Sequence, residues 1–484
     1  MKSTFGINPR VVVWLLFAAG AVIMALTGCD AKSKSGFEAT EETEEATVSK
    51  PDPLKLLAIE VPEFGAEVAR QWAAQRDGEL EIAHASLADF ESTDDLMAGY
   101  DLIVHPASLN ADLVSKKQIR VYPRDGLIDP EMNLDAFLLH FRKALVRHDD
   151  KTWSVSLGGR QLRLFYRTDI LEEAGIAPPA TWQELGEALG KLKTVDAAKD
   201  LKPIVIPTSD GMAGQMFLAR AASLIRDQGK LTSFFDRRTM KPMIESVPFE
   251  IALKDLRDFN SMSGESCSVS GAFAQFANGK AVFAIAWPSL GDDFEEEVLE
   301  KSSANWGVVR LPGSKRYYDL NDPSWRDRGR QDDFKVDLLG IAANNVSISA
   351  NTGNAEDAMG FVKWLTDKRN SQKLLRGAAA PFRATHLGRV GQWYSMEQAD
   401  REFLGEFADS IEETHKSRII LMFPQLPGKH KYLQALDKAV NEFLGDESAA
   451  SGDTLKRVAQ EWEELTESLD REGQTWHLRR SNGI

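Results

Sequence analysis

The chain has only two cysteines, Cys29 and Cys267, in 484 residues. This scarcity excludes a framework of disulfides, and it leaves no cysteine cluster that could hold zinc. None of the eight histidines lies within an H-E-x-x-H or H-x-x-x-H string, and no G-x-x-x-x-G-K-[ST] string is present. The sequence therefore offers no familiar zinc-enzyme motif and no nucleotide-hydrolysis motif. If the protein depends on ATP, another subunit must hydrolyse it.

Positive charge is also in short supply. The chain has 58 Lys and Arg residues against 73 Asp and Glu residues, a formal net charge of −15. Such a protein would have to bind nucleic acid or an anionic lipid surface against its own electrostatic field. We therefore expect neither partner, and any attachment to a membrane must come from another source.

The amino terminus indicates what that source is. Lys2 and Arg10 precede an uncharged run that ends in Leu26-Thr27-Gly28-Cys29, a tetrad that resembles a bacterial lipobox. This pattern predicts a lipoprotein signal peptide over residues 1–28 and lipidation of Cys29. The polar, glutamate-rich run that follows predicts an acidic flexible tether over residues 29–53. Acyl chains would then hold the protein to a membrane. An ordinary secretory signal and a single membrane anchor are the alternatives.

After the tether, strand and helix patterns alternate along the chain. Apolar runs at 54–61, 100–105 and 201–207 predict buried strands, and the segments 66–75, 215–227 and 249–262 have helical spacing. This alternation is typical of an α/β fold with parallel strands. In such folds, ligands bind at the carboxyl ends of strands.

The stretch from Gln161 to Lys193 is the most informative. Leu162, Leu164 and Tyr166 alternate with Arg163 and its neighbours, which predicts a strand with one packed face and one solvated face. Two prolines follow after a short helical run. Thr181 and Glu184 then have the spacing of a capping box at the start of another helix.

Taken together, this string resembles the signature of the family 1 extracellular solute-binding proteins, the maltose-binding-protein-like receptors of sugar ABC importers. The matching residues are Phe165, Tyr166, Asp169, Glu173, Ala174, Gly175, Pro178, Pro179, Thr181, Trp182 and Leu185. Segments 273–313 and 354–383 are similar to other strings of that family. The resemblance covers roughly residues 54–469.

The resemblance implies a two-lobed periplasmic-binding-protein fold of the type II kind, with discontinuous lobes joined by a hinge. One lobe would consist of residues 54–160 and 342–379, and the other of residues 161–341 and 380–470, with a tail at 471–484. The chain would pass between the lobes three times, near 160, near 341 and at 380–383. A cleft between the lobes would hold the ligand.

The function that the resemblance implies is that of a lipid-anchored extracytoplasmic receptor. It would bind a sugar or oligosaccharide and deliver it to the membrane subunits of an ABC importer, as a monomer without cofactor, metal or catalytic residues. Three alternatives stay open: a receptor of this fold for a polyamine, a ferric ion or an anion; a secreted glycan-active enzyme; and a sensor that does not transport.

Residues at strand ends are the candidates for contact with the ligand. They are Glu60, Glu63, His105, Asp210, Trp287, Asp337 and Arg383. Trp287 is the first candidate, because a Trp-Pro pair ends an apolar strand there, although a tryptophan at that point could equally complete the core. Phe64 and Tyr166 are expected to pack in the core.

Other readings of these residues are less favoured. The carboxylates of Glu60, Asp210 and Asp337 could form a glycosidase pair, although acidic groups are common in binding clefts. Adjacent tyrosines, Tyr317 and Tyr318, could bind ferric ion, but they lie in a polar segment expected on the surface.

Overall fold

The computed structural model describes residues 52–75, 78–93, 95–226, 233–289, 296–329 and 333–481. The predicted signal peptide, the predicted lipidation site Cys29 and nearly all of the predicted tether lie outside these residues. Within the described ranges, no helix combines the length and the apolar character that crossing a bilayer requires.

The described strands alternate with helices in the first part of the chain. The strands are β1 (Leu54–Ile59), β2 (Leu80–Ala85), β3 (Leu102–Pro106), β4 (Arg147–His148), β5 (Lys151–Thr152), β6 (Val155–Gly159), β7 (Arg163–Arg167), β8 (Lys202–Val205), β9 (Ala281–Ala286), β10 (Trp306–Arg310), β11 (Arg316–Asp319), β12 (Ser324–Asp327), β13 (Asp337–Leu339), β14 (Ala343–Ile348) and β15 (Ile420–Met422).

Helices cover these strands and form most of the last hundred residues. They are α1 (Ala66–Gln75), α2 (Leu87–Ser92), α3 (Asn110–Ser115), α4 (Arg124–Ile128), α5 (Thr168–Glu173), α6 (Trp182–Leu192), α7 (Met212–Ile225), α8 (Val247–Ser263), α9 (Val269–Ala277), α10 (Glu296–Ser303), α11 (Ala355–Thr366), α12 (Ser371–Leu374), α13 (Ala384–Leu387), α14 (Val390–Trp393), α15 (Arg401–Lys416), α16 (Lys429–Gly445), α17 (Ser451–Ser468) and α18 (Arg471–Ser481). Short 3-10 turns lie at Ala107–Leu109, Leu134–Ala136 and Asp196–Ala198.

Two larger sheets organise the described residues. The first has the order β2-β1-β3-β14-β6, in which β1 is parallel to β2 and β3, and β14 is antiparallel to β3 and β6. The second has the order β10-β7-β9-β8, in which only β8 and β9 are parallel. The predicted α/β class is confirmed, although both sheets are mixed instead of wholly parallel.

The prediction of a solvated face on strand β7 is wrong. Arg163, Leu164 and Phe165 are all fully buried, because β7 lies in the middle of the second sheet between β10 and β9. A central strand covered on both faces cannot leave an arginine in water. Arg163 is buried because it has internal partners, which are described below.

The predicted capping box at the start of α6 is confirmed. The hydroxyl of Thr181 accepts a hydrogen bond from the Glu184 amide at 3.2 Å, and the Glu184 carboxylate accepts one from the Thr181 amide at 3.2 Å. Each bond satisfies an amide that the first turn of a helix leaves without an intrahelical partner.

The chain passes between the two sheets at short connections. Residues 160–162 lead from β6 of the first sheet to β7 of the second. Gly340, Ile341 and Ala342 lead back to β14 of the first sheet from β13, which forms a separate two-stranded sheet with β15. Gly340 has φ +91° and Ala342 has φ +43°, both in the left-handed region. At the end of β6, Gly158 has φ +87°, and a Cβ there would lie 2.3 Å from the carbonyl oxygen of Ala380. Only glycine therefore fits where β6 passes the backbone of Ala380.

The polar segment at 317–333 contains the hairpin β11–β12, in which Tyr318 packs edge-on against Trp325 with ring centroids 5.4 Å apart. The carboxyl-terminal region is mostly helical. The segment expected to be a tail forms helix α18, where Leu478 is fully buried and the side-chain amide of Gln474 donates to the Pro427 carbonyl at 3.0 Å.

Candidate ligand-binding cavity

A cavity of about 750 Å³ lies where elements of both sheets end. It lies within the range of volumes typical of small-molecule sites. Its walls are made by Ser108, Arg160, Asp210, Gly211, Met212, Gln215, Ser268, Val269, Ser270, Trp287, Ser289, Ile341, Ala342, His430, Leu433, Gln434, Asp437 and Lys438.

One wall belongs to the first sheet and its connections. Ser108 lies in the turn that follows β3, and Arg160 follows β6. Ile341 and Ala342 lie in the return connection to β14. The guanidinium of Arg160 donates to the carbonyl oxygen of Gly377 at 3.0 Å, which fixes the side chain near the first crossing.

The opposite wall follows the carboxyl ends of the parallel strands β8 and β9, as the rule for α/β sheets predicts. Asp210 and Gly211 stand between β8 and α7, both in the left-handed region with φ +57° and +79°. Trp287 follows β9 directly and is 6% exposed. These two segments bring a carboxylate and an aromatic side chain to the same cavity.

Helix α16 completes the cavity along one of its faces. His430, Leu433, Gln434, Asp437 and Lys438 recur at intervals of three and four, which places them on one side of the helix. Asp437 accepts a hydrogen bond from the Gly214 amide at 2.9 Å, which ties α16 to the first turn of α7. Burial raises the pKa of Asp437.

The charges around the cavity are balanced. Asp210 and Asp437 are acidic, Arg160 and Lys438 are basic, and the other polar walls are serine, glutamine and histidine side chains. No group of three or more histidine, cysteine, aspartate or glutamate residues in the described ranges is arranged to hold a metal ion. The cavity therefore offers hydrogen-bonding groups together with the exposed part of one aromatic side chain, Trp287.

Two of the seven predicted contact residues, Asp210 and Trp287, line this cavity. Trp287 is also continuous with the apolar core, so the two roles considered for it are compatible. Glu60 and Glu63 have exposed side chains outside the lining, and a carboxylate oxygen of Glu60 accepts a hydrogen bond from the Leu87 amide.

His105 does not line the cavity and is buried beside strand β14 of the first sheet. Its ring is fully buried, with Nδ1 donating to the Pro106 carbonyl at 2.8 Å and Nε2 lying 3.0 Å from the Ser347 hydroxyl. Burial lowers the pKa of His105 to about 4, which keeps the ring neutral. These contacts suit a structural residue.

Asp337 belongs to a buried ionic cluster. Its carboxylate accepts hydrogen bonds from Arg310 Nε at 2.7 Å and from the Thr414 hydroxyl at 2.9 Å, and it lies 3.5 Å from Arg163. Burial alone would raise the pKa of Asp337, but the guanidinium groups of Arg310 and Arg163 outweigh it and lower that pKa. The carboxylate is therefore committed to internal partners.

Arg383 is 3% exposed and bonds to backbone instead of a ligand. Its Nε donates to the Thr366 carbonyl at 2.7 Å, and the guanidinium lies 4.3 Å from the centre of the Phe137 ring. Burial lowers the pKa of Arg383 to about 10. Arg383 thus joins the segment of the predicted third crossing to the end of α11.

The carboxylates considered as a glycosidase pair are not brought together at the cavity, because only Asp210 lines it. Tyr166 and Phe64 are buried, as expected for packing residues. Tyr317 and Tyr318 lie in the β11–β12 hairpin, outside the cavity, and the guanidinium of Arg328 packs 5.1 Å from the Tyr317 ring.

Sequence reasoning missed the face of α16, as well as Ser108, Arg160 and the serines that begin α9. The strand-end rule cannot find a helix that comes from the far end of the chain. The spacing of His430, Gln434 and Lys438 was visible, but an amphipathic helix with polar residues at such intervals ordinarily faces water.

A mixed α/β chain with two sheets, short crossings between them and a cavity where their strands end has the architecture of a two-lobed solute-binding protein. The chain belongs to the family described as bacterial extracellular solute-binding protein, whose profile matches residues 85–372, more than half of the chain. Members of this family are binding proteins of the extracytoplasmic space.

Solved structures share the fold. The sugar-binding protein MalE from Xanthomonas citri is 14% identical, with a TM-score of 0.64 over 87% of this chain and 100% of that one. A solute-binding protein from Agrobacterium vitis S4 with bound D-mannitol is 16% identical, with a TM-score of 0.58 over 87% of this chain and 99% of that one. Maltose-bound MalE3 of T. maritima is 18% identical, with a TM-score of 0.57 over 86% and 100%.

Proposed function

We propose that the protein is the receptor of an ABC importer and binds a sugar or a related polyhydroxylated solute in the 750 Å³ cavity. The observation that carries the proposal is the combination of Trp287 with a surrounding set of serine, glutamine and carboxylate groups. Sugars present C–H surfaces that pack on aromatic rings, and each buried hydroxyl needs a hydrogen-bond partner. The cavity offers both.

Closure would link binding to delivery. Ser108 and Arg160 come from the first sheet, whereas Asp210 and Trp287 come from the second. A solute that contacts both walls stabilises the closed arrangement over the open one by its difference in affinity for the two. The importer would then recognise the closed arrangement.

The balance of charge favours a neutral solute over the alternatives. A polyamine or a ferric ion would call for a surplus of acidic groups, but Asp210 and Asp437 are matched by Arg160 and Lys438. The D-mannitol and maltose bound to the structures named above are neutral and polyhydroxylated, which supports the same class of ligand here.

We expect Trp287→Leu to weaken binding of the best saccharide or polyol at least tenfold. Leucine keeps an apolar side chain but removes the flat ring surface, and tenfold corresponds to about 1.4 kcal/mol. A thermal-shift screen of the unmodified protein against maltose, D-mannitol, ribitol, polyamines and ferric citrate identifies the ligand, since tight ligands raise the melting temperature. Calorimetry then measures the affinities.

Trp306→Leu is the matched control, because Trp306 is 4% exposed and packs against Phe273 and Phe403 away from the cavity. Both variants should lose stability, but only Trp287→Leu should lose affinity. Equal affinities in the two variants would reduce Trp287 to a core residue. A screen in which only a polyamine or ferric ion raises the melting temperature would refute the sugar assignment.

The lipid anchor is a separate part of the proposal and rests on the tetrad that ends at Cys29. Serine cannot form the thioether that carries the acyl chains. We therefore expect Cys29→Ser to remove the protein from the membrane fraction or to leave it unprocessed, as seen by fractionation and mass spectrometry of the amino terminus. Mature Cys29→Ser protein that stays with the membrane would exclude this anchor.

A further inference from the structure

His430 occupies an unusual position at the edge of the cavity. It lies in the first turn of α16, lines the cavity and is 9% exposed. Its Nε2 atom is 2.6 Å from a carboxylate oxygen of Glu91, which belongs to α2 between two strands of the first sheet. Helix α16 itself packs on α7 and α17. His430 thus connects helix α16 to a helix of the first-sheet side.

The bond to Glu91 decides where the imidazole carries its proton. The hydrogen bond from His430 lowers the pKa of Glu91, so the carboxylate is ionised and can only accept. Nε2 must therefore be the protonated nitrogen. In the neutral ring, Nδ1 is left with a lone pair and acts as an acceptor.

This Nδ1 atom is buried and has no hydrogen-bond partner in the described residues. A buried acceptor without a partner typically costs about 1–3 kcal/mol, so its presence in a cavity wall calls for a donor such as a ligand hydroxyl or a water molecule. The neighbouring acidic groups do not supply a partner. Glu91 is bonded to Nε2. Asp112 accepts a hydrogen bond from the Gly428 amide at 2.8 Å through Oδ1, and its Oδ2 atom is buried but forms no hydrogen bond with His430.

We propose that His430 is a ligand-contacting residue whose Nδ1 accepts a hydrogen bond from a hydroxyl of the bound solute, and that Glu91 is the positioning residue that fixes its tautomer. This assignment rests on the proposed function and goes beyond it, because it states which group donates and which accepts in one hydrogen bond to the solute. The solute must present a hydroxyl donor at this wall. Glu91, on the first-sheet side, would thus determine which His430 nitrogen accepts the hydrogen bond from the solute.

The test uses His430→Gln in the full processed chain, with maltose, D-mannitol and ribitol as probes. A glutamine amide can reach Glu91 as Nε2 does, but the variant has no acceptor where Nδ1 stands. We expect affinity for the bound probe to fall about tenfold in calorimetry, with little change in the melting temperature of the unliganded protein. Lys431→Gln is the matched control, since Lys431 also pairs with Glu91, at 3.6 Å, but does not line the cavity.

A second measurement does not depend on any ligand. Nitrogen-15 spectra of histidine-labelled protein should show His430 as the Nε2-protonated tautomer, and Glu91→Ala should redistribute the proton between the two nitrogens. An Nδ1-protonated ring in the unmodified protein would overturn the proposal. So would equal affinity of His430→Gln and the unmodified protein. Failure of all probes to bind the unmodified protein would instead refute the proposed function, and the ligand role of His430 with it.

Discussion

Replacement of Asp337 by asparagine is expected to lower the free energy of unfolding by about 3–5 kcal/mol. Asp337 is 2% exposed and its carboxylate lies between the guanidinium groups of Arg163 and Arg310, which are 0% and 5% exposed. Asparagine has nearly the same shape but no charge. The substitution therefore leaves the two buried cations without the charge that compensates their loss of hydration.

Urea denaturation followed by tryptophan fluorescence measures the effect. Asp169→Asn is the matched control, because Asp169 also pairs with an arginine, Arg167, but its side chain is 39% exposed. Water screens such a pair, and we expect a change of less than about 1 kcal/mol there. Similar losses in the two variants would show that the buried cluster does not depend on the charge of Asp337.

Mild acid is expected to destabilise the protein steeply. Burial lowers the pKa of His105 and His477 to about 4 and that of His386 and His415 to about 3. An unfolded histidine titrates near pH 6.5. Above that pH neither state binds the proton, so the stability is fully present. As the pH falls from about 6.5 towards 4, only the unfolded state takes up protons and the stability is lost.

Each of the four rings can contribute about 1.4 kcal/mol per pH unit in that window. The opposite trend would follow from the net charge of −15 alone, because acidification relieves repulsion between acidic groups. The sign of the change therefore separates the two effects. Melting temperatures from pH 7.5 to pH 5 measure it, and a flat or rising profile on acidification would contradict the prediction.

A pair of variants makes the pH prediction specific. His105→Asn removes one of the four buried histidine rings, so the difference in stability between pH 7 and pH 5 should become smaller. The variant should be less stable than the unmodified protein at both pH values. His84→Asn is the control, since the His84 side chain is exposed and has no buried environment to lose. The His84 variant should reproduce the profile of the unmodified protein.

These residues also show how a fold of this kind separates stability from binding. Asp337, Arg383 and His105 lie near strand ends, as ligand contacts would, but each has internal partners that use its hydrogen-bonding groups. Trp287 and Asp210 lie at equivalent points of the second sheet and reach the cavity. A position at a strand end is thus not sufficient to bring a side chain to the cavity, and the residues of α16 show that it is not necessary either.

The sequence by itself determined the local structure and the family. Hydrophobic spacing located the strands β1, β3, β7 and β8, and the Thr181–Glu184 pair marked the start of α6. The string around Trp182 carried the resemblance that the family profile supports. These features depend on residues close together in the chain. For the same reason, the strand ends pointed to Asp210 and Trp287.

Only the tertiary structure decided which polar side chains have partners inside the protein. Arg163 was expected in water but is buried with its partners Asp337 and Ser410. These partners are 174 and 247 residues away in the chain, so the local sequence around Arg163 does not predict them. His430 lines the cavity because helix α16, near the carboxyl end of the chain, packs against α7. A charge or an acceptor is satisfied by whichever group the fold brings within about 3 Å. The local sequence pattern does not indicate which group that is.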